Sequence, residues 1–185
     1  MMGFGDKPFG LTDLKVAVLN ADGTYGTPVA LPEGRKLVMA AKTVTSKLPG
    51  YLGATAAVAT VVQDVEVTID GGTVPKEFLA AVLGLTAETG GTTPDATKSL
   101  NLEVRKPFPY FGVIGVALDD DGGDTHFGLP KVKLTELPEW TAQNEDNLFV
   151  TSSMKGLAIA DDAGKAIYLL SHETAAEADF TEIFA

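Results

Sequence analysis

A side-chain period of two decides most of what this chain can fold into. From Gln63 to Ile69, Val65, Val67 and Ile69 alternate with Asp64, Glu66 and Thr68, a pattern that a strand with one buried face accommodates and a helix does not. Lys98 to Arg105 repeats it, with Leu100, Leu102 and Val104 set against Asn101, Glu103 and Arg105. Shorter runs occur at Leu14–Val18 and Lys131–Leu134, and Val150 with its neighbours and Ala166–Leu170 complete the predicted strands. Tyr110 to Leu118 is continuously apolar and predicts a strand buried on both faces. Turn chemistry separates the runs: Asp22-Gly23, Asp119 to Asp124 and Asp161 to Gly164 read as hairpins, and Gly90 to Asp95 as a longer loop. Many short strands with frequent turns predict an antiparallel sandwich or barrel.

One segment has a different period. Pro75 and Gly84 bracket Phe78, Leu79, Val82 and Leu83, which recur at helical spacing. Proline suits the start of a helix and glycine its end. A short helix of about three turns is expected there, its Phe/Leu face packed on the sheet.

Composition then narrows function. Lys and Arg total 14 against 25 Asp and Glu, a formal net charge of −11, which is poorly suited to holding nucleic acid phosphates. The absence of cysteine removes disulfide scaffolds, thiol nucleophiles and cysteine zinc sites. The two histidines, His126 and His172, leave most acid–base and metal constellations short of material. The longest uncharged stretch, Leu48 to Gln63, is interrupted by Pro49, Gly50 and Gly53 and is shorter than the ~20 residues a spanning helix needs. No apolar leader opens the chain, so manufacture and assembly in the cytosol are expected.

Candidate chemistry is thin. Asp119–Asp121 with Asp124 lack calcium-loop spacing and read as an acidic hairpin tip in solvent. Ser152 and Ser153 have no nucleophile elbow to make a triad with His172. Gly164-Lys165 lacks the first glycine and the hydroxyl of a phosphate loop. Gly3, Gly5 and Gly10 open no dinucleotide-binding unit. No catalytic residue, cofactor site or metal site is expected, and no enzyme.

The order of motifs does carry a likeness. Val65 to Gly72 ends a strand in Gly-Gly before the Pro75–Gly84 helix; Gly91-Thr92-Thr93-Pro94 follows, then Pro109-Tyr110-Phe111 and Asp121-Gly122-Gly123-Asp124-Thr125-His126. Leu148–Ser152 and Ile167–Thr174 close the series. In this order the chain resembles the major tail tube proteins of long non-contractile (siphovirus) phage tails. The resemblance implies an all-β fold with one short helix, an antiparallel β-sandwich or split barrel whose hexameric rings stack into a tube. It further implies a single domain over 1–185, with an N-terminal arm 1–10, an inter-ring loop about 46–55 and a C-terminal arm 173–185. The expected partners are further copies of the chain, a tape measure protein and other tail proteins. DNA would pass through the lumen without sequence-specific binding, the location being a virion tail assembled in host cytoplasm. The tube of a contractile injection system is the alternative within this architecture, and a monomeric β-sandwich binding module is the alternative outside it.

Three sets of residues carry expectations. Leu48, Pro49, Gly50, Tyr51 and Leu52 are expected to reach the next ring, because their apolar groups would be poorly placed in a free loop. Asp64 and Glu66 share the strand face opposite Val65, Val67 and Ile69, and on the inner sheet of a ring they would line the bore. Phe4 and Phe9, with Phe180, Ile183 and Phe184, are expected to anchor the two arms on neighbouring subunits.

Overall fold

Period-two runs become strands of one large antiparallel sheet in the computed structural model, which describes residues 8–49, 55–72, 74–86, 88–103, 105–120, 122–137 and 152–184. The strands are β1 (Pro8–Val18), β2 (Val29–Ala30), β3 (Gly34–Pro49), β4 (Thr55–Gly71), β5 (Glu88–Gly90), β6 (Thr97–Ser99), β7 (Phe111–Asp119), β8 (Asp124–Glu136), β9 (Ser152–Ile159) and β10 (Tyr168–His172). Two helices accompany them, α1 (Lys76–Leu83) after β4 and α2 (Phe180–Ile183) near the end. Hydrogen bonding runs in the order β2-β1-β7-β8-β9-β4-β3, with β10 also paired to β8 and a small β5–β6 hairpin apart. The sheet curls until β3 lies against β1 without bonding to it, which makes the expected split barrel from a single sheet.

Inside the curl sits α1. Its backbone starts after Pro75 and ends at Gly84, whose φ of 66° needs no Cβ and lets its N–H reach the Ala80 and Ala81 carbonyls. Phe78, Leu79, Val82 and Leu83 are buried against Leu14 and Val16 of β1, Val65, Val67 and Ile69 of β4, and Leu129 of β8. Burial of each such side chain contributes about 1.5–3 kcal/mol, so this one helical face fixes the curl.

Strand β7 is buried on both faces, as its apolar run requires. Phe111 and Val113 face the α1 side, while Ile114 and Val116 face a second cluster on the sheet's other side. That second cluster was not expected from sequence. It is built by the segment after β10: Ala178, Phe180 and Ile183 cover Ala17, Ile114 and Val116, with Tyr25, Tyr168 and Phe184 alongside. Asp179 starts α2 by accepting the Thr181 N–H at 2.8 Å. The approach is so close that a Cβ on Gly112 would lie 2.6 Å from the Tyr25 ring, and one on Gly128 2.8 Å from Ile183.

Other expectations need correction. Lys98–Arg105 forms a strand only as far as Ser99; Leu100 to Glu103 are irregular and Leu102 is exposed. Pro107 and Pro109 follow closely, and proline supplies no N–H to a ladder. Asp161 to Gly164 does not fold one strand back on another. Instead β9 and β10 run in series along the same edge of β8, with Ile159 opposite Lys131 and Tyr168 opposite Gly128, and the turn is an excursion between them. Asp161 organises it, accepting the N–H groups of Ala163 and Lys165 and the Tyr168 hydroxyl. Burial, then that bond, push the Tyr168 phenol up to about 12. The acidic tip is also not all in solvent: Asp119 and Asp124 are buried, and the Asp119 carboxylate accepts from the Thr125 hydroxyl. Val150 lies outside the described residues.

Candidate functional site

Of the stretch expected to be a loop, about 46–55, the described residues 46–49 and 55 are strand. β3 and β4 pair from Gly34–Gly71 outward to Pro49–Thr55, with residues 50–54 beyond them outside the described part. β9 supports β4 only from Val65 to Gly71. At the border Lys42 pairs with Asp64 but Thr43 with Val62, so Gln63 is left over as a bulge. Past that bulge, among the described residues, Thr43–Pro49 and Thr55–Val62 have no partner but each other. Seven residues at ~3.4 Å each carry this two-stranded ribbon roughly 24 Å beyond the sheet.

The ribbon carries exposed apolar groups on both faces, more densely on one. Paired residues share a face: Val44 with Val61 and Leu48 with Ala57 lie on one, Thr43 with Val62 and Lys47 with Val58 on the other. Val44, Leu48, Val58, Val61 and Val62 are 46–63% exposed, and Lys47 is the only charged residue from Thr43 to Val62. Thr45 and Thr60 bridge the strands through their hydroxyls at 3.1 Å. An isolated two-stranded ribbon is at best marginally stable in water, and exposed apolar groups in this density mark a contact surface. β3 is moreover the end strand of the sheet, so its outer row of N–H and C=O groups is a template for another chain.

Leu48 and Pro49 are at the ribbon's outer end, both exposed, and Gly50, Tyr51 and Leu52 lie outside the described residues. Asp64 and Glu66 stand at the ribbon's root, on the face away from the core, as the alternation requires. They are not alone there. Glu66 is paired with Lys42, and Asp70 lies 4.0 Å from Lys36 on the same face. The bond to Glu66 holds the Lys42 ammonium above its ordinary pKa. Both partners of the first pair are about half exposed, so the pair adds little stability. Its effect is to offset much of the negative charge expected on that face.

The residues expected to anchor the C-terminal arm pack within their own chain. Phe180 and Ile183 are each 4% exposed within their own subunit, and Phe184 stacks at 5.2 Å on Tyr25 and Tyr168. They are closed over their own sheet because Gly112 and Gly128 leave a groove that aromatic and branched side chains fill. Phe9 belongs to β1, its backbone opposite Leu118, so residues 8–10 extend the sheet; Phe4 lies outside the described residues. A signal for the closing helix was present: Phe180, Ile183 and Phe184 stand at i, i+3 and i+4.

Among the described residues, nothing in the ribbon or at its root assembles a nucleophile with a base. The histidines meet elsewhere, on Asp124 at the turn end of β8. No helix among the described residues is long and apolar enough to cross a membrane.

No protein-family model matches the chain, and no curated protein does. Solved structures do. A chain from the sheath–tube complex of an extracellular contractile injection system (PVC), in its extended state, superposes with a TM-score of 0.51 at 10% identity, covering 90% of this chain and 94% of that one. A chain from the baseplate of the anti-feeding prophage (AFP) gives 0.49 at 10% identity, covering 89% and 97%. The first of these matches shows that a curled antiparallel sheet with two short helices is a fold this chain shares, over nearly its whole length, with a chain of that sheath–tube complex.

Proposed function

We propose that this chain is the subunit of a contractile injection system's tube, assembling through its β3–β4 ribbon into stacked rings. The observation that carries the reading is the ribbon: a long, nearly uncharged, two-faced apolar projection that its own subunit leaves uncovered. A head-to-tail contact between identical subunits closes into a ring or continues as a filament, and such contacts would cover both the ribbon and the β3 edge. The likeness to a chain from a sheath–tube complex favours the contractile form over the siphovirus tail that the sequence motifs suggest. In either machine the role is structural, with no reaction to catalyse.

Electron microscopy of the purified protein tests this, with rings or hollow tubes as the expected result. Dispersed monomers at high concentration would overturn it and favour a binding module. Co-expression with the sheath subunit from the same particle separates the two machines: sheath-coated tubes support the contractile form, and bare tubes the siphovirus form.

The six-fold ring and the lumen remain part of the same proposal. Were the Lys36/Lys42/Asp64/Glu66/Asp70 face to line the bore, its near balance of charge would let polyanions or proteins pass with little adhesion. Reversing Asp64 and Glu66 to lysine should then leave tubes intact but make them retain DNA at low salt and release it as salt rises. Tubes that retain none at low salt would put this face away from the lumen.

A further inference from the structure

Both histidines of the chain converge on one buried carboxylate, far in sequence from each other and outside the ribbon. Asp124 and His126 are two residues apart on β8, so the strand's period puts both side chains on one face. β10 pairs His172 opposite Asp124. His172 Nδ1 lies 2.8 Å from Asp124 Oδ1, and His126 Nε2 lies 3.1 Å from Oδ2. The two imidazoles meet edge to face with centroids 4.6 Å apart. Asp124 and His126 are each 1% exposed and the His172 side chain 17%, which leaves an approach from the His172 side.

The cluster is incompletely satisfied. His126 Nε2 is fully buried and, although 3.1 Å from Asp124 Oδ2, is left without a well-formed hydrogen bond. A buried ring nitrogen without a well-formed hydrogen bond is uncommon in folded proteins, and this one lies beside a carboxylate and a second imidazole. One donor atom from each of the three residues lies within 4.8 Å of the others. Donors bound at ~2.0–2.1 Å around a tetrahedral ion stand about 3.3 Å apart, so three atoms already within 4.8 Å of one another would have only a short way to draw in.

We propose that Asp124, His126 and His172 form a binding site for a divalent transition ion of the zinc type. Two imidazoles and a carboxylate are donors that zinc, cobalt and nickel accept, whereas calcium and magnesium favour all-oxygen shells. The surroundings suit the role. With Nδ1 of His172 turned to the ion, its Nε2–H faces Glu182 Oε1 at 3.3 Å, the outer carboxylate that commonly orients a ligating histidine. The Ala176 N–H, at 2.7 Å from Asp124 Oδ2, holds the carboxylate in place. An ion here would tie β8 to β10 and, through Glu182, to α2. This site is independent of the tube reading: it needs only the folded subunit.

Cobalt and zinc are the probes. The full-length protein, stripped with a chelator, is titrated with Co2+ and followed by visible absorption, then with Zn2+ by calorimetry and thermal melting. Expected are one ion per chain, a Co2+ spectrum with nitrogen ligation, and a melting temperature that rises with Zn2+ and falls back on chelation. His172→Gln, at the partly exposed ligand, should weaken binding by at least about 100-fold, ligand loss exceeding the 10–100-fold cost of outer-shell changes. His126→Gln should do the same where it folds. Because the chain has no other histidine and no cysteine, no second imidazole or thiolate site competes for Co2+. A folded wild type that takes up neither ion at about 1 mM overturns the proposal. So does uptake that His172→Gln leaves unchanged, or that carries only the spectrum of oxygen ligation.

Discussion

Val44→Lys combined with Val61→Lys should leave the subunit folded and raise the concentration needed for assembly by about 100-fold or more. The two valines are cross-strand partners on one face of the ribbon, 46% and 62% exposed in the single subunit. Covering a valine contributes at least about 1.5 kcal/mol, so losing two removes about 3 kcal/mol per contact, and each 1.4 kcal/mol is tenfold in affinity. Burying the two ammonium groups in their place costs more still. Within the monomer neither valine touches the core, and substitutions of that kind usually fall within ±0.5 kcal/mol. Sedimentation velocity with a melting curve on the same sample checks both halves. Assembly at the wild-type concentration would mean that this face of the ribbon is not an interface.

Phe180→Ala should act in the opposite way, lowering the unfolding free energy of the isolated subunit by about 3–5 kcal/mol. Phe180 is 4% exposed, its ring 5.2 Å from Tyr25 and 5.8 Å from Phe184, and it roofs the groove at Gly112. For a domain with a typical 5–15 kcal/mol of stability this is a large share. Denaturant unfolding at a protein concentration below assembly measures it. An unchanged midpoint there, with assembly lost, would return this segment to the role of an arm on a neighbouring subunit.

These two residue sets also mark where sequence is a good guide to this fold and where it is a poor one. Val65, Val67 and Ile69 were legible because Asp64, Glu66 and Thr68 between them provide contrast, and contrast is what a half-buried strand writes into a sequence. The ribbon beyond Gln63 has no such contrast. Valine stands on both of its faces, with small alanine on one and uncharged threonine on the other, so it resembles a loop or an apolar run until the partner strand is seen. Helix α1 was legible from Pro75, Gly84 and four apolar positions between them. The four-residue α2 was not, since a single turn offers too short a window for periodicity to outweigh its place near the chain's end. Asp124 and His126 lie two apart on a strand, a readable signal. His172 joins them only through the β8–β10 pairing, which no local spacing encodes.

The register of β1 has a consequence for how the molecule comes into being. Leu14 sits opposite Gly115 and Val18 opposite Phe111, so the strand made first waits for one made roughly a hundred residues later. Long-range pairings of this kind close slowly, whereas a hairpin of neighbouring strands closes in microseconds. On the ribosome, therefore, the β3–β4 hairpin is complete while the sheet that will carry it does not yet exist. A nascent chain displays its stickiest element before its own core can form, and neighbouring chains on one message display the same element together. Synthesis rate and chaperone occupancy, rather than the final stability of the subunit, then decide how many chains reach an ordered lattice and how many clump first.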